Sequence, residues 1–289
     1  MNGVINVYKP SGITSFDVVK SIKKISGEKK VGHTGTLDPL AEGVLPICLG
    51  KATKLVDFIM SGKKVYQAEM KLGEITDTYD REGKIIKTAP VEADEVEISK
   101  AIMSFKGDIL QVPPMYSALK VNGKKLYELA RNGIEVEREA RKVSIYNVNI
   151  KSINIPLAVF DVECSKGTYI RSLCYDIGQK LGCGAVMYNL TRCASGIFNI
   201  ENSVKLEELN KENIFENIIS LDDCLSNYPL LKVNEKFEKL LINGVSIQDR
   251  KMIDMVEEEK IYKLQNSHNK LLGLGSLTEK GFKIVKLLT

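Results

Sequence analysis

The segment VGHTGTLDPLAEG at 31–43 runs directly into VLPICL at 44–49, and this junction restricts the fold more than any other part of the chain. A nearly unbroken apolar run of that length, bounded by turn residues, reads as a strand buried on both faces. Such a strand needs partners on each side, so the chain must build a sheet around it. The preceding segment is punctuated by Gly32, Gly35 and Gly43 and reads as a loop. Pro39 pushes Asp38 toward extended dihedrals and stiffens the turn. Gly32 and Gly35 let the loop turn tightly or approach a ligand closely. Two readings of Asp38 follow: a carboxylate aimed at a substrate, or an Asp that only organises a turn. The loop matches neither G-x-x-x-x-G-K-[ST] nor G-x-G-x-x-G, which excludes a nucleotide P-loop.

The remaining patterns predict α+β architecture. After a Thr14 N-cap, Val18, Val19, Ile22 and Ile25 share one helical face, and Gly27 ends the helix. KVYQAEMKLG at 64–73 alternates as a strand carrying Tyr66. Further strands are expected at 3–7, 142–153, 157–164 and 185–190, and helices at 55–60, 97–105 and 168–181. Beyond about residue 202 the texture turns acidic and Asn-rich and reads as helix. Strand-like runs return at 261–264, 271–274 and 282–287. Strict βαβ alternation is missing, so a mixed, mostly antiparallel sheet with flanking helices is expected. A boundary near Tyr228–Pro229 divides the chain into a domain at 1–228 and a small β-rich domain at 229–289.

Charge is distributed unevenly. Residues 1–64 hold ten Lys against five acids, whereas 201–259 hold fourteen acids against seven bases. A basic front and an acidic rear suit a protein that turns one face to phosphate, although solvated helix faces give the same count. Lys120, Lys124, Lys125, Arg131, Arg138, Arg141 and Lys142 could follow an RNA backbone, or line a solvated hairpin. The six Cys include no C-x-x-C pair, which argues against zinc and against a disulfide framework and suits a reducing cytoplasm. No apolar run approaches membrane-spanning length and no targeting signal is visible.

Arg171 falls in the first turn of the helix expected at 168–181. A cation there opposes the helix dipole by roughly 0.3–1 kcal/mol and calls for a compensating anion, either a carboxylate or an RNA phosphate. Tyr66 and Tyr169 could stack on an unstacked base, or be ordinary core tyrosines. His33 stands without a neighbouring Ser, Cys or second His, which is poor support for a hydrolase triad.

Five blocks then appear in a fixed order: VYKPSGITSFDVV at 7–19, GHTGTLDPLAEGVLPICLGKATK at 32–54, YQAEMKLGEITDTYDREG at 66–83, QVPPMYSALKVNGKKLYELAR at 111–131 and CSKGTYIRSL at 164–173. Over roughly residues 3–200 the chain resembles the TruB family, the bacterial tRNA pseudouridine-55 synthases. The resemblance implies that Asp38 is the catalytic aspartate and Arg171 the arginine paired with it. It implies that Tyr66 stacks on the flipped uracil and is a candidate base for the C5 proton. His33, Tyr169 and Leu190 match residues around the everted nucleotide. Lys9 is grouped with the substrate-binding residues and, with Pro10, supports the active-site loop. Thr36 and Glu42 stand where relatives often carry Ala and Thr. The family fold implies a C-terminal PUA-like module at 229–289 and an RNA-contacting insertion around 111–141. A cytoplasmic monomer acting on the tRNA T-arm stem-loop is expected, with no cofactor and no metal. Two rivals are a non-catalytic RNA-binding or tRNA-folding protein on the same scaffold, and a Mg²⁺-dependent phosphotransferase using Asp38.

Overall fold

The structure, a computed structural model, describes residues 1–121 and 123–288. The apolar run becomes the strand Glu42–Leu49, buried at every position after Glu42. It pairs antiparallel with Gly3–Lys9 and parallel with Ala185–Ser195. The sheet continues from Ala185–Ser195 through Lys64–Leu72, Leu157–Cys164 and Arg141–Asn154 to Gly107–Gln111, all antiparallel. With the short strands Val31–His33, Phe198–Asn199 and Val204–Lys205 it has ten strands. The expected α+β class with a mixed, mostly antiparallel sheet is what forms.

Alternation decides how the central strand Lys64–Leu72 sits. Lys64, Tyr66, Ala68, Met70 and Leu72 are buried, and the residues between them are not. The helix Ser15–Ser26 is closed by a Thr14–Asp17 capping box and by Gly27 in the left-handed region at φ 67°. Such a cap contributes about 1 kcal/mol, while each fully buried Ile or Leu contributes roughly 1.5–3 kcal/mol. The helix is therefore held mainly by Val18, Val19 and Ile22. These pack into one apolar cluster with Leu45, Ile47, Phe160 and with Ile177 of the helix Ile170–Leu181.

Three expectations need correction. The strand expected at 185–190 runs on to Ser195, because Arg192 stays in the ladder opposite Tyr66. The loop at 31–43 begins as the strand Val31–His33. The Asn-rich stretch after 202 is mostly turn, with only the 3₁₀ turn Leu206–Glu208 and the short helix Leu221–Cys224. Asn210 accepts from the N–H groups of Glu212 and Asn213, and Asn213 donates to the Glu208 carbonyl. Side chains that capture nearby backbone groups in this way favour turns over helix.

Leu230–Lys232, Ile261–Gln265, Leu271–Thr278 and Gly281–Leu287 make a separate four-stranded sheet, and the helix Glu235–Ile242, which periodicity did not reveal, packs with it. Leu274 and Leu288 share an apolar cluster with Val4, Val44 and Cys48 of the main sheet.

One half-buried acid gives a stability prediction. Asp176 lies on the helix Ile170–Leu181, and burial alone pushes its carboxyl up from 3.8 to about 6. A raised folded-state value favours the fold below the unfolded pKa, and that advantage is lost as pH rises through about 6. Solvent still reaches this carboxyl and weakens the effect, so Asp176→Asn should stabilise the protein by about 1–2 kcal/mol at pH 8 and add little at pH 4. Thermal melts of both proteins at the two pH values check this; equal shifts at both would contradict it.

Candidate active site

The parallel junction between Glu42–Leu49 and Ala185–Ser195 is short: only Thr191 with Glu42 and Arg192 with Gly43 are in register. The Asp38 loop leaves the sheet at this seam. Gly43 is required there. It sits at φ 102°, and a Cβ would lie 2.4 Å from the Arg192 carbonyl oxygen. The loop is tied down from below. Ser15 donates to the Leu37 carbonyl at 2.9 Å and accepts from the Leu37 N–H at 2.8 Å. Ser11 donates to the Leu40 carbonyl at 2.8 Å. Lys9 has no exposed surface, and its Nζ donates to the carbonyls of Pro10, Ile13 and Pro39 at 2.8, 2.7 and 3.2 Å. Burial pushes its ammonium down to about 8, against the pull of Asp38. Lys9 thus corrects the grouping with substrate-binding residues: it cannot reach a ligand, and it holds the turn on which Asp38 stands.

Asp38 and Arg171 are brought together across 133 residues. Arg171 Nη2 donates to Asp38 Oδ1 at 3.2 Å, and Nε lies 2.9 Å from Oδ2. That Nε–H is not aligned for a hydrogen bond, so the closer contact is ionic and only the Nη2 bond is directed. The Arg171 side chain is 5% exposed and that of Asp38 is 34% exposed. The buried guanidinium holds a carboxylate that still faces solvent.

Arg171 is in turn fixed by groups that sequence reasoning left without a role. Its Nη1 donates to the Thr78 carbonyl at 3.1 Å and stands 3.6 Å from Asp80 Oδ2, and its Nη2 also donates to the Tyr116 carbonyl at 2.7 Å. Burial raises the Asp80 carboxyl, opposed by the Thr78 hydroxyl and by Arg171. The only signal in the chain was the TDTYD run itself. The helix bearing Arg171 begins at Ile170, with Tyr169 as N-cap. Gln111, buried, donates to the Tyr169 carbonyl at 3.1 Å and accepts from the Tyr169 N–H at 2.8 Å.

The other expected residues gather on the same side. Tyr66 faces Arg192 across the ladder, and Ala68 faces Leu190. Tyr66 and Leu190 are each 7% exposed, so both sit in the wall and not on open surface. Burial raises the Tyr66 phenol above its usual value, which favours a proton donor over a ready base at neutral pH. His33 Nδ1 accepts from the Gly35 N–H at 3.2 Å, and burial lowers its imidazole. That bond fixes the tautomer with hydrogen on Nε2. Tyr169 is half-buried, and burial raises its hydroxyl too. A polar cavity of about 430 Å³ lies beside the loop, lined by Leu40, Glu42, Glu69, Arg81, Asn189 and Leu190 among others. Its lining includes Leu190 but not Asp38. No cluster of metal-ligating side chains occurs among the described residues.

A carboxylate presented by a stiff loop, oriented by a buried arginine and bordered by tyrosines, can meet an electron-deficient carbon beside a flat ring. Comparison with known proteins agrees with this chemistry. Residues 23–170 match the family model described as the TruB family pseudouridylate synthase N-terminal domain, and 171–228 match the tRNA pseudouridylate synthase B C-terminal domain. A protein of Clostridium acetobutylicum named tRNA pseudouridine synthase B is 67% identical over the full length of both chains. One of the same name from Clostridium tetani is 58% identical, again over the full length of both. Among solved structures, one described as a Cbf5-Nop10-Gar1 complex contains a chain 27% identical, with a TM-score of 0.74, matched over 99% of this chain and 85% of that one. The chain described here belongs to the TruB family of pseudouridylate synthases.

Proposed function

We propose that the protein isomerises uridine 55 in the T-loop of tRNA to pseudouridine, with Asp38 as the group that acts at the ribose. The carrying observation is the Asp38–Arg171 pair: an accessible carboxylate fixed by a buried guanidinium. The relatives named tRNA pseudouridine synthase B supply the substrate class. The uridine must leave its stack to reach Asp38, which costs a few kcal/mol and is offset by contact with aromatic and apolar walls. Tyr66, Tyr169, Leu190 and His33 are the residues assigned to that pocket. Breaking the N1–C1′ bond leaves positive character on the sugar, and the Asp38 carboxylate answers it, by attack at C1′ or by removal of a sugar proton. Arg171 holds the carboxylate through the directed Nη2 bond to Oδ1 and the ionic contact of Nε with Oδ2. Residues 1–228 form the catalytic unit in this reading, and 229–289 form a PUA-like module; the second sheet begins at Leu230 and the second family model ends at 228. The protein works as a cytoplasmic monomer.

The segment around 111–141 is assigned to the RNA backbone. Lys120, Lys124, Arg131 and Arg141 are exposed there, whereas Lys142 is paired with Asp108 at 2.8 Å. Affinity for a T-arm RNA should then fall steeply with salt, by about one unit of log–log slope for each phosphate neutralised. Removing Lys120 and Lys124 together should lower that slope by about two. A titration series from low to physiological salt reads both; a flat response would remove the basic face from the account.

The function itself is tested by incubating the purified protein with an unmodified T-stem-loop and mapping pseudouridine chemically. Conversion at the single expected position is the predicted result. Tight binding without conversion would favour the non-catalytic RNA-binding alternative.

A further inference from the structure

Two buried cations flank Tyr66. Lys64 lies two residues before it on the same strand, so the two side chains share a face. Arg192 stands directly across the ladder from Tyr66, and its guanidinium lies against the Tyr66 hydroxyl. Lys64 is 6% exposed and Arg192 is 1% exposed. Arg192 donates to the carbonyls of Val44 and Gly35 at 2.7 and 3.2 Å. Lys64 Nζ has no hydrogen-bond partner among the described residues. Neither cation joins an ion pair there, unlike Arg171 with its two carboxylates. Burial and the nearby Arg192 charge push the Lys64 ammonium down to about 8.

An unpaired ammonium inside a protein is costly, and such groups persist where function uses them. Here Lys64 shares a strand face with the tyrosine of the assigned uridine pocket, Arg192 stands across the ladder from it, and neither is ion-paired among the described residues. Preorganised charge of this kind stabilises an opposite charge that develops only during reaction. We propose that Lys64 and Arg192 form the seat for the negative charge that uracil carries while it is detached from the ribose. The inference rests on the isomerase reading above. When N1–C1′ breaks, its electron pair leaves with the base, and the charge spreads over N1, O2 and O4. The C5 atom of that anion then bonds to C1′, C5 loses its proton, and N1 gains one, so the base ends neutral. A phosphate is the less suitable occupant. It stays hydrated at the surface, and Lys64 Nζ is enclosed. A planar base entering beside Tyr66 brings its charge to the cations.

The test is Lys64→Met in the full-length protein, which keeps volume and removes charge. Melting temperature should hold or rise, since a buried ion gives way to an apolar group. RNA affinity and its salt slope should be unchanged. The single-turnover rate should fall about a hundredfold, as when one preorganised donor is lost. A second RNA carries 5-fluorouridine at the target position. Fluorine withdraws electrons and makes the departing base less basic, so it needs less help. Loss of the N1-linked nucleoside from digested RNA reads the cleavage step. On this RNA the deficit of Lys64→Met should shrink to less than about tenfold. The same deficit on both RNAs would make Lys64 structural and overturn the proposal. So would lower affinity and a smaller salt slope at an unchanged rate, the signature of a phosphate contact. The wild-type rate on the uridine RNA reports the parent reading separately.

Discussion

Arg171→Leu is expected to cost the protein both its activity and about 3–5 kcal/mol of stability, the penalty for breaking a buried ion pair by removing one partner. The reason lies in what is left behind. Asp80 is 6% exposed, and Arg171 is the cation that opposes its desolvation. Without it, the Asp80 carboxyl rises further, because burial already raises it. A raised carboxyl favours the fold at low pH and loses that contribution as pH climbs through its folded value. The variant should therefore be less impaired near pH 5 than near pH 8. The carbonyls of Thr78 and Tyr116 also lose their donor, and each unsatisfied buried acceptor adds roughly 1–3 kcal/mol unless water reaches it. Denaturant melts at the two pH values measure this. A variant as stable as the parent at pH 8 would show that Arg171 is not the keystone between the two acidic loops.

Asp38→Asn should behave differently. Its side chain is one-third exposed, and asparagine keeps an oxygen for the Arg171 Nη2 donor, so stability should change little. The turn survives as well, because Lys9, Ser11 and Ser15 hold it through backbone groups. What disappears is the negative charge beside the ribose. Loss of one preorganised electrostatic group costs about a hundred- to a thousandfold, and loss of the attacking group costs more. The rate should fall at least about a thousandfold, with T-arm affinity unchanged. Binding and single-turnover rates measured on one protein preparation separate the two effects. Affinity lost in proportion to rate would mean that Asp38 serves binding and not chemistry.

The frame of the fold was legible because its strongest elements advertise themselves. The apolar run at 44–49 and the alternation at 64–73 each permit one kind of strand, and Gly27 and Gly182 each end a helix in the left-handed region. The Asn-rich segment misled because composition suggests a solvated helix, while the amide side chains close turns. Asp38 was visible as a carboxylate on a stiff loop, and Arg171 as a cation on the wrong end of a helix. Their meeting came from the family resemblance alone, since nothing local relates residues so far apart in the chain. Asp80 was hidden for the same reason. It looks like one more turn acid in TDTYD, and only the fold turns it toward Arg171. Lys9 shows the opposite limit. The resemblance grouped it with the substrate-binding residues, whereas three carbonyls inside the protein already accept its hydrogen bonds.

The most direct test of the central claim uses T-arm RNA tritiated at C5 of the target uridine, mixed with a stoichiometric excess of protein. Rejoining at C5 must expel that hydrogen, so each completed turnover releases one label to water. Wild-type protein should release the label fully, and Asp38→Asn should release none above background while holding the RNA. Release by Asp38→Asn at the wild-type rate would contradict the account at its root.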